Sequence, residues 1–497
     1  MFTAKLQCTR SEIKRYLSLS SPPAQAQYSK NMSETVVNTY GGSPLNRLSW
    51  LRTSHAFLNA VVALPSTRWM LLNSGQPLMI KSDAGDQSFN YLTTQKVKPF
   101  LGPEPYFGQG QNPGELVPEA VEEEHNRHSP LLAVRHRGAP IVFLGLHETE
   151  HDANSALPSS EFTNPEIAIQ KLNGTAYFAM DIAELGLPET EVKQILDGAL
   201  LGNGRSYSWV EPRSLMSSMD SFTAAVFANA RSMVDWNFRN KFCPGCGSPT
   251  YSMWAGWKIA CTSLLPWTDN TGRKPCPSGK GLHNYTHPRT DPVVIMIAID
   301  ETGDKVLLGR GRRFPGKFYS ALAGFIEPGE SFEDSVAREM WEEAGVHVWN
   351  VKYHSGQPWP YPASLMVGFY ARADSSKPIR VDLDNELADA RWFTRDEVRA
   401  VLDHKAGTTF RKSDFKRMNE IVEGKATEDK TNAEMAAQAL SPADPGAASK
   451  PVLQREPTDD EEPPFRLPPL TAIAGVLIRD WVDGKIGFKN ELLKGNL

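Results

Sequence analysis

The feature that most constrains this chain is the segment 324–346, in which glutamates recur at helical spacing. Ser331 can cap the start of a helix, because its hydroxyl can accept a hydrogen bond from a backbone N–H of the first turn. Gly345 is suited to the left-handed conformation that follows many helix ends. The segment therefore predicts a helix that begins after Ser331 and ends at Gly345.

Three carboxylates share one face of this predicted helix. At 100° per residue they span about 100°, and they are Glu339, Glu342 and Glu343. We expect the opposite face to pack on a sheet through four residues, Ala337, Met340, Trp341 and Ala344. Neighbouring carboxylates repel one another unless cations lie among them, and such hard oxygen ligands suit Mg²⁺ or Mn²⁺, which in turn bind diphosphates. The alternative is a solvated acidic helix face.

The alternative does not explain why two glycines, a glutamate and an arginine stand at fixed offsets around the acids. The whole segment resembles the box of the Nudix hydrolases, G-x5-E-x7-R-E-U-x-E-E-x-G-U with U a bulky apolar residue, and all nine defined positions match. The resemblance implies a nucleoside diphosphate hydrolase on an α/β/α sandwich with a mixed sheet, and it implies that Arg338 holds the loop through Glu330. It assigns the cations to Glu339, Glu343 and the Ala323 carbonyl.

The resemblance leaves two roles open for Glu342, which is either a further metal ligand or the base that orients water. Glu342 and Glu343 are therefore both candidate catalytic residues. By the same resemblance, Glu386 completes the metal cluster and Ala474 is a candidate substrate contact. Phe325 and Trp359 are candidates for contacts with the rings of the substrate.

A second segment, 357–366, carries alternating prolines that fix an extended, stiff backbone. Rigid aromatic rings near a metal site can stack on a nucleobase or nicotinamide ring, although such a segment alone could be a structural loop. It resembles the SQPWPxPxS signature of NADH pyrophosphatases, with Gly356 in place of the signature's Ser. We expect a backbone adjustment at Gly356. The resemblance assigns substrate binding to Gln357, Pro358, Trp359, Pro360, Tyr361, Pro362, Ala363 and Ser364.

Four of the five cysteines fall in one window, which indicates a metal site instead of a disulfide scaffold. Cys243-Pro-Gly-Cys246 is a knuckle whose tight turn presents two thiolates. Cys261 and Cys276 are the expected second pair, although 14 residues separate them, and His283 is a rival fourth ligand. A closed four-ligand site leaves no position for water, so we expect a structural Zn²⁺ in a zinc ribbon. The alternative is four ordinary thiols.

The remaining chain divides by composition. Short apolar runs between Gly- and Pro-rich breaks, at 61–64, 141–146 and 177–182, indicate a mostly β N-terminal domain. The predicted segments are a disordered or targeting extension (1–38), an N-terminal Nudix-like domain (39–212), a connecting helix (213–238), a zinc ribbon (239–286), the Nudix hydrolase domain (287–420), a disordered insertion (421–464) and a C-terminal helix that completes the Nudix domain (465–497).

The charge balance excludes some classes of partner. Lys and Arg number 53 against 58 Asp and Glu, a net charge of −5, so no excess of cations is available for DNA or a membrane surface. Apolar runs of about seven residues are also well below the ~20 that span a bilayer. The cytoplasm is the expected compartment. The alternatives are a mitochondrion, from the basic stretch 1–31, and a peroxisome, from the final Leu497.

Together these features predict hydrolysis of the pyrophosphate bond of NADH, and of NAD⁺, to nicotinamide mononucleotide and AMP. Removal of an NAD cap from RNA uses the same chemistry and ranks as secondary, because the charge balance gives no sign of long-RNA binding. An inactive nucleotide-sensing Nudix scaffold is an alternative of another class, but the box acids are complete. The resemblance further implies a homodimer.

Overall fold

The structure, a computed structural model, describes most of the chain from residue 37 onward. The described residues are 37–81, 87–108, 133–135, 138–148, 165–200, 206–216, 218–265, 268–280, 288–312, 314, 317–328, 330–384, 386–409 and 463–486. The predicted extension and insertion lie almost wholly outside these residues, as does His283, and the domain boundaries stay predictions. In the described part of the chain, no helix has both the length and the apolar character needed to cross a membrane.

A first mixed sheet comes from the N-terminal region. Its described strands are β1 (Arg68–Asn73), β2 (Gln76–Lys81), β3 (Gln87–Phe89), β4 (Leu92–Thr93), β5 (Val142–Glu148), β6 (Gly174–Asp181) and β7 (Ser206–Trp209). Their order is β3-β2-β1-β6-β5, with β4 paired to β1 and β7 to β2. At the parallel β1–β6 pair, the fully buried Trp69 stacks on Phe178 with ring centroids 5.0 Å apart. This ring pair lies in the core of the domain.

Helices accompany this sheet. They are α1 (His55–Ala63), α2 (Thr94–Leu101), α3 (Pro165–Gln170) and α4 (Glu189–Leu200). The mixed α/β fold is confirmed, but the expectation of a mostly β domain is incomplete. The apolar run 61–64 is the end of α1 and not a strand, whereas the other two runs lie in β5 and β6. Helix α2 contains Pro99, and helix α3 has only 6 residues. Neither helix therefore shows the apolar repeat by which a helix is predicted from sequence.

The connecting helix α5 (Ser221–Arg239) leads into the cysteine window. It begins later than 213 because the Asp220 side chain caps it, accepting a hydrogen bond from the Thr223 N–H. A hairpin of β8 (Thr250–Met253) and β9 (Lys258–Cys261) follows.

The second sheet carries the glutamate helix. Its strands are β10 (Asp291–Ile299), β11 (Lys305–Gly311), β12 (Leu322–Phe325), β13 (Val348–Trp359), β14 (Ser364–Ala373) and β15 (Leu387–Thr394). The order is β13-β14-β10-β11-β15, with β12 also paired to β10. The helices that pack on it are α6 (Phe332–Ala344), α7 (Arg395–Asp403) and α8 (Ile473–Val482).

Strand β10 shows why this sheet has a helix layer on each face. Its side chains alternate with period two. Ile295, Ile297 and Ile299 lie in the core that includes α7 and α8. Val294, Met296 and Ala298 lie in the core that includes α6. The continuous apolar run of β10 is thus buried on both faces, which gives the expected α/β/α sandwich.

Candidate active site

The glutamate helix has the predicted ends. The Ser331 hydroxyl accepts a hydrogen bond from the Asp334 N–H, and the Asp334 carboxylate accepts one from the Ser331 N–H, which forms a capping box. The helix ends at Ala344, and Gly345 takes the left-handed conformation with φ 65°. The prediction of this helix is confirmed.

The buried face of α6 differs from the expected one. Met340 and Ala344 are buried, but Ala337 and Trp341 are exposed, and the Trp341 ring stacks on His347 at 4.2 Å. The buried stripe instead runs through Val336, Met340, Glu343 and Ala344. The helix is therefore rotated so that one of its acids faces the protein interior. Sequence amphipathicity missed this because it assumes that a carboxylate faces water.

Arg338 holds the loop between β12 and α6, as expected. Its guanidinium binds the Glu330 carboxylate, and Nη2 also donates to the Phe325 carbonyl at 2.8 Å. These charge-assisted hydrogen bonds lower the pKa of Glu330 to about 2. Nη1 further donates to Glu339 at 2.7 Å and to Glu342 at 2.9 Å. One arginine thus fixes the loop and partly neutralises two of the helix glutamates.

Gly324 allows the Glu339 carboxylate to lie against β12. A Cβ at position 324 would stand 1.9 Å from the Glu339 Cδ. We therefore expect Gly324→Ala to displace this carboxylate and to lower hydrolytic activity at least tenfold. Gly198→Ala in α4 is the control, because a Cβ at position 198 would have no described neighbour within 4 Å. Kinetics at varied Mn²⁺ measure the effect. Unchanged activity and cation dependence in Gly324→Ala would contradict this role of the glycine.

Glu343 is a buried carboxylate with an unsatisfied oxygen. Glu343 is only 4% exposed, and its Oε1 has no hydrogen-bond partner among the described residues. Burial, together with the charges of Glu339, Glu386 and Asp384, raises the pKa of Glu343 to about 9, and a backbone hydrogen bond at Ala323 opposes the rise. An isolated buried carboxylate is costly, and a bound cation would satisfy it. The donor set of this site therefore fits a divalent cation.

This raised pKa predicts how stability depends on pH without added divalent cation. Between about pH 4.5, the ordinary value, and about pH 9, folded Glu343 keeps a proton that the unfolded chain loses. Stability should therefore fall as pH rises through this window, by at most about 1.4 kcal/mol per pH unit from this group. Melting curves from pH 5 to 9 measure it. Added Mn²⁺ should reverse the fall, and a Glu343 contribution that rises with pH would contradict the assignment.

A cavity of about 640 Å³ joins this carboxylate to other predicted site residues. Of the predicted residues, Ala323, Glu343, Glu386, Gln357, Trp359 and Ala474 line it. Glu339 and Glu342 do not line it, and Glu342 is half-exposed beside Arg338. Among the described residues, only the four cysteines form a group of three or more side chains close enough to share a metal ion as they stand.

Some lining residues were missed by sequence reasoning. They are chiefly Arg213, Arg312, Phe318, Asp384 and the loop residues Pro468 and Pro469. The one signal in the sequence for Asp384 is its position, because it is an acid only two residues before the predicted metal ligand Glu386. Arg213 comes from the short 3-10 turn that precedes α5, and the prolines come from the turn before α8. No local signal places these distant segments together.

The signature segment forms the end of β13 and the hairpin that follows it, with Trp359 paired to Ser364. The Gln357 amide is fully buried, and it donates to the carbonyls of Thr39 and Thr471 and accepts from the Ile473 N–H. Gln357 thus fastens the start of the described chain and the start of α8 to the second sheet.

The hairpin itself packs on the N-terminal region. The Tyr361 hydroxyl bonds the Tyr40 hydroxyl at 2.6 Å, and Arg213 lies over the Tyr361 ring at 4.7 Å. The Pro360 carbonyl accepts from Arg231, and the Ser232 hydroxyl donates to the Pro362 carbonyl. These contacts give the hairpin a structural role between the two sheets.

Several other predicted substrate contacts lie outside the cavity lining. They are Phe325, Pro358, Pro360, Tyr361, Pro362, Ala363 and Ser364. The Phe325 ring is 61% exposed at the end of β12. Ala363 accepts a hydrogen bond from the Asp291 N–H, which joins the hairpin to β10. Their roles in substrate binding stay predictions.

The four cysteines of the window form one cluster. Their sulfur atoms lie within 4.8 Å of one another, with Cys243 3.6 Å from Cys276 and Cys246 3.4 Å from Cys261. A tetrahedral Zn²⁺ with ~2.3 Å bonds needs sulfurs about 3.8 Å apart, so the cluster fits a metal ion. Cys276 completes the set despite its distance in sequence.

The box helix, the sandwich and the acid-lined cavity together define a Nudix hydrolase. Residues 289–413 match the family described as NUDIX domain. Residues 66–236 match the NADH pyrophosphatase-like rudimentary NUDIX domain.

Two relatives are similar over most of the chain, and a third is similar over a shorter stretch. The chain is 33% identical over 370 residues to the NAD-capped RNA hydrolase of Schizosaccharomyces pombe, covering 74% of this chain and 86% of that protein. It is 30% identical over 378 residues to NAD-capped RNA hydrolase NPY1 of Saccharomyces cerevisiae, covering 75% and 89%. It is 48% identical over 191 residues to human NAD-capped RNA hydrolase NUDT12, but this covers only 38% of the chain and 39% of that protein. The chain belongs to the NADH pyrophosphatase family of Nudix hydrolases.

Proposed function

We propose that this protein hydrolyses the pyrophosphate bond of NAD-type dinucleotides in the presence of Mg²⁺ or Mn²⁺. The products would be nicotinamide mononucleotide, reduced or oxidised, and AMP. From an RNA that carries NAD at its 5′ end, the second product would be the RNA with a 5′ monophosphate. The observation that carries the proposal is the cavity that joins the unsatisfied Glu343 carboxylate to Trp359.

The extent of the cavity supports a substrate of dinucleotide size. Glu386 directly precedes β15 at one edge of the second sheet, and Trp359 lies on β13 at the other edge. Four inter-strand spacings separate these edges, a distance of about 19 Å at ~4.8 Å per spacing. An acidic end and an aromatic end at this separation suit a pyrophosphate linked to a ring-bearing nucleoside.

The residues of the chain can be given roles in this reaction. Glu339, Glu343, Glu386 and the Ala323 carbonyl would hold the divalent cations, which supply charge neutralisation at the pyrophosphate and a more acidic water. Arg338 keeps Glu339 and Glu342 in place. Glu342, half-exposed, is available to accept a proton from water, and Trp359 would stack on a base or nicotinamide ring. Hydrolysis then depends on positioning in the cavity, without a protein nucleophile.

We infer that NAD-capped RNA is as good a candidate substrate as free NADH. The charge balance suggested a secondary role for cap removal, but the relatives reported above are named NAD-capped RNA hydrolases. Arg213 and Arg312 also line the cavity. These cations would attract substrate phosphates, and net charge of the whole chain does not reveal such a local arrangement.

The four-cysteine cluster would hold Zn²⁺ in a structural role, since four sulfurs close the coordination shell. A homodimer stays a prediction of the family resemblance, and light scattering on the purified chain tests it.

Product analysis tests the proposed function. Purified protein is incubated with NADH, NAD⁺, ADP-ribose, diadenosine polyphosphates and NAD-capped RNA, with Mn²⁺, with Mg²⁺ or without added cation. We expect cation-dependent release of nicotinamide mononucleotide from NADH, from capped RNA or from both. Absence of hydrolysis of every dinucleotide by protein that still binds Mn²⁺ would overturn the proposal in favour of a nucleotide-sensing scaffold.

A further inference from the structure

Asp384 lies in the loop that carries Glu386, and both residues line the same cavity as Glu343. Asp384 is exposed, and its negative charge contributes to the raised pKa of Glu343. The box pattern does not include Asp384, and neither does the set of metal ligands that the family resemblance assigns.

An acidic side chain near others is common on protein surfaces, but here a second observation indicates a ligand. Glu343 is 4% exposed, and in the part of the chain that the structure describes its Oε1 has no hydrogen-bond partner. A buried, unsatisfied carboxylate that lines a cavity needs a cation or a proton. Because Asp384 borders the same cavity, it adds negative charge where a cation would bind.

We propose that Asp384 supplies a further carboxylate to the divalent-cation site of Glu343 and Glu386. This inference rests on the proposed function, because it deepens the cation site on which that function depends. Hard divalent cations take six or more oxygen ligands, so a site with several carboxylates has room for another direct or water-bridged ligand.

Asp384 also has a structural contact that must be separated from this role. Its Oδ1 accepts a hydrogen bond from the Glu386 N–H at 3.0 Å, which shapes the loop. Asp384→Asn removes the charge but keeps an oxygen at Oδ1 that can accept this bond. Asp384→Ala removes both the charge and the acceptor. Asp382, two residues earlier, pairs with Arg380 at 2.8 Å and does not line the cavity, so Asp382→Asn is a matched control.

The test measures Mn²⁺ binding to the full chain without substrate, by electron paramagnetic resonance of free Mn²⁺ and by the Mn²⁺-induced rise in melting temperature. We expect Asp384→Asn and Asp384→Ala to weaken Mn²⁺ binding three- to tenfold, and Asp382→Asn to leave it unchanged. Weaker binding in Asp384→Ala alone would show that Asp384 only shapes the loop, and would overturn the inference.

Parent-like Mn²⁺ affinity in both Asp384 variants would overturn the inference as well, while leaving the proposed function intact. If the parent chain itself bound no Mn²⁺, the cation dependence of the proposed function would fail, and this inference would fail with it. Failure of this inference would be seen only when the Asp384 variants are compared with the parent chain. Failure of the proposed cation dependence would already be seen in the parent chain, so the two failures are distinguishable.

Discussion

Glu343→Gln is expected to lower the turnover of NADH or NAD-capped RNA by a factor of about 10² to 10³, roughly 3–4 kcal/mol of transition-state stabilisation. The amide keeps the size of the side chain but cannot supply a negative charge to a cation. The fold should stay intact, because burial already keeps this carboxyl largely protonated at neutral pH without cation, with a pKa of about 9. Steady-state kinetics and melting curves measure both effects.

Glu333→Gln is the control for this variant. Glu333 lies in the exposed first turn of the same helix and takes no part in the cavity. It should keep parent activity and parent stability. The Glu343 variant should also lose the fall in stability between about pH 4.5 and 9, since an amide does not titrate. Substantial residual turnover in Glu343→Gln, with a parent-like response to Mn²⁺, would exclude Glu343 as a cation ligand.

The second large effect concerns the cysteine cluster. Cys276→Ser is expected to abolish stoichiometric Zn²⁺ binding and to destabilise the protein by several kcal/mol, because a structural metal site contributes directly to folding. Three of the four cysteines are buried, and they form one small core with Trp236 of α5 and Ile259 of β9. Loss of the metal should therefore loosen the hairpin and the end of the connecting helix together.

Metal content by mass spectrometry and thermal unfolding measure this second effect. Cys8→Ser provides the matched control, because Cys8 is the one cysteine of the sequence outside the window. It should retain one Zn²⁺ per chain and the parent melting temperature. A Cys276→Ser protein with full Zn²⁺ content and parent stability would show instead that Cys276 is not a ligand and that another residue completes the site.

The sequence determined those features that depend on near neighbours in the chain. One such feature is the helix from Phe332 to Ala344, with the capping box at its start and Gly345 at its end. Both ends depend on hydrogen bonds between residues close together in the chain. The continuous apolar run of β10 accounts for its burial on both faces of the sheet. The nine box positions identified the family, because each has its own fixed offset. Local rules therefore recovered the element that carries the acids.

Other features of the helix were not local. The choice of buried face depends on the sheet beneath it, and the cost of burying Glu343 is tolerated because the site can take up a proton or a cation. The prediction that Trp341 packs on the sheet was wrong for this reason, because an amphipathic pattern assigns large apolar residues to the core and acids to water. Short helices such as α2 and α3 were missed because tertiary packing, more than their own pattern, stabilises them.

Only the tertiary structure decided how the signature segment is used. Its sequence suggested a row of substrate contacts, yet the structure places Trp359 in the cavity and Tyr361 against Tyr40 and Arg213 from the N-terminal region. It likewise brought Arg213 and Asp384 to the cavity from segments about 170 residues apart in the chain. Such contacts arise from the packing of surfaces whose partners are distant in sequence, so no periodicity or spacing in the chain encodes them. The sequence by itself thus determined the chemistry of the acids, and the tertiary structure determined which side chains line the cavity with them.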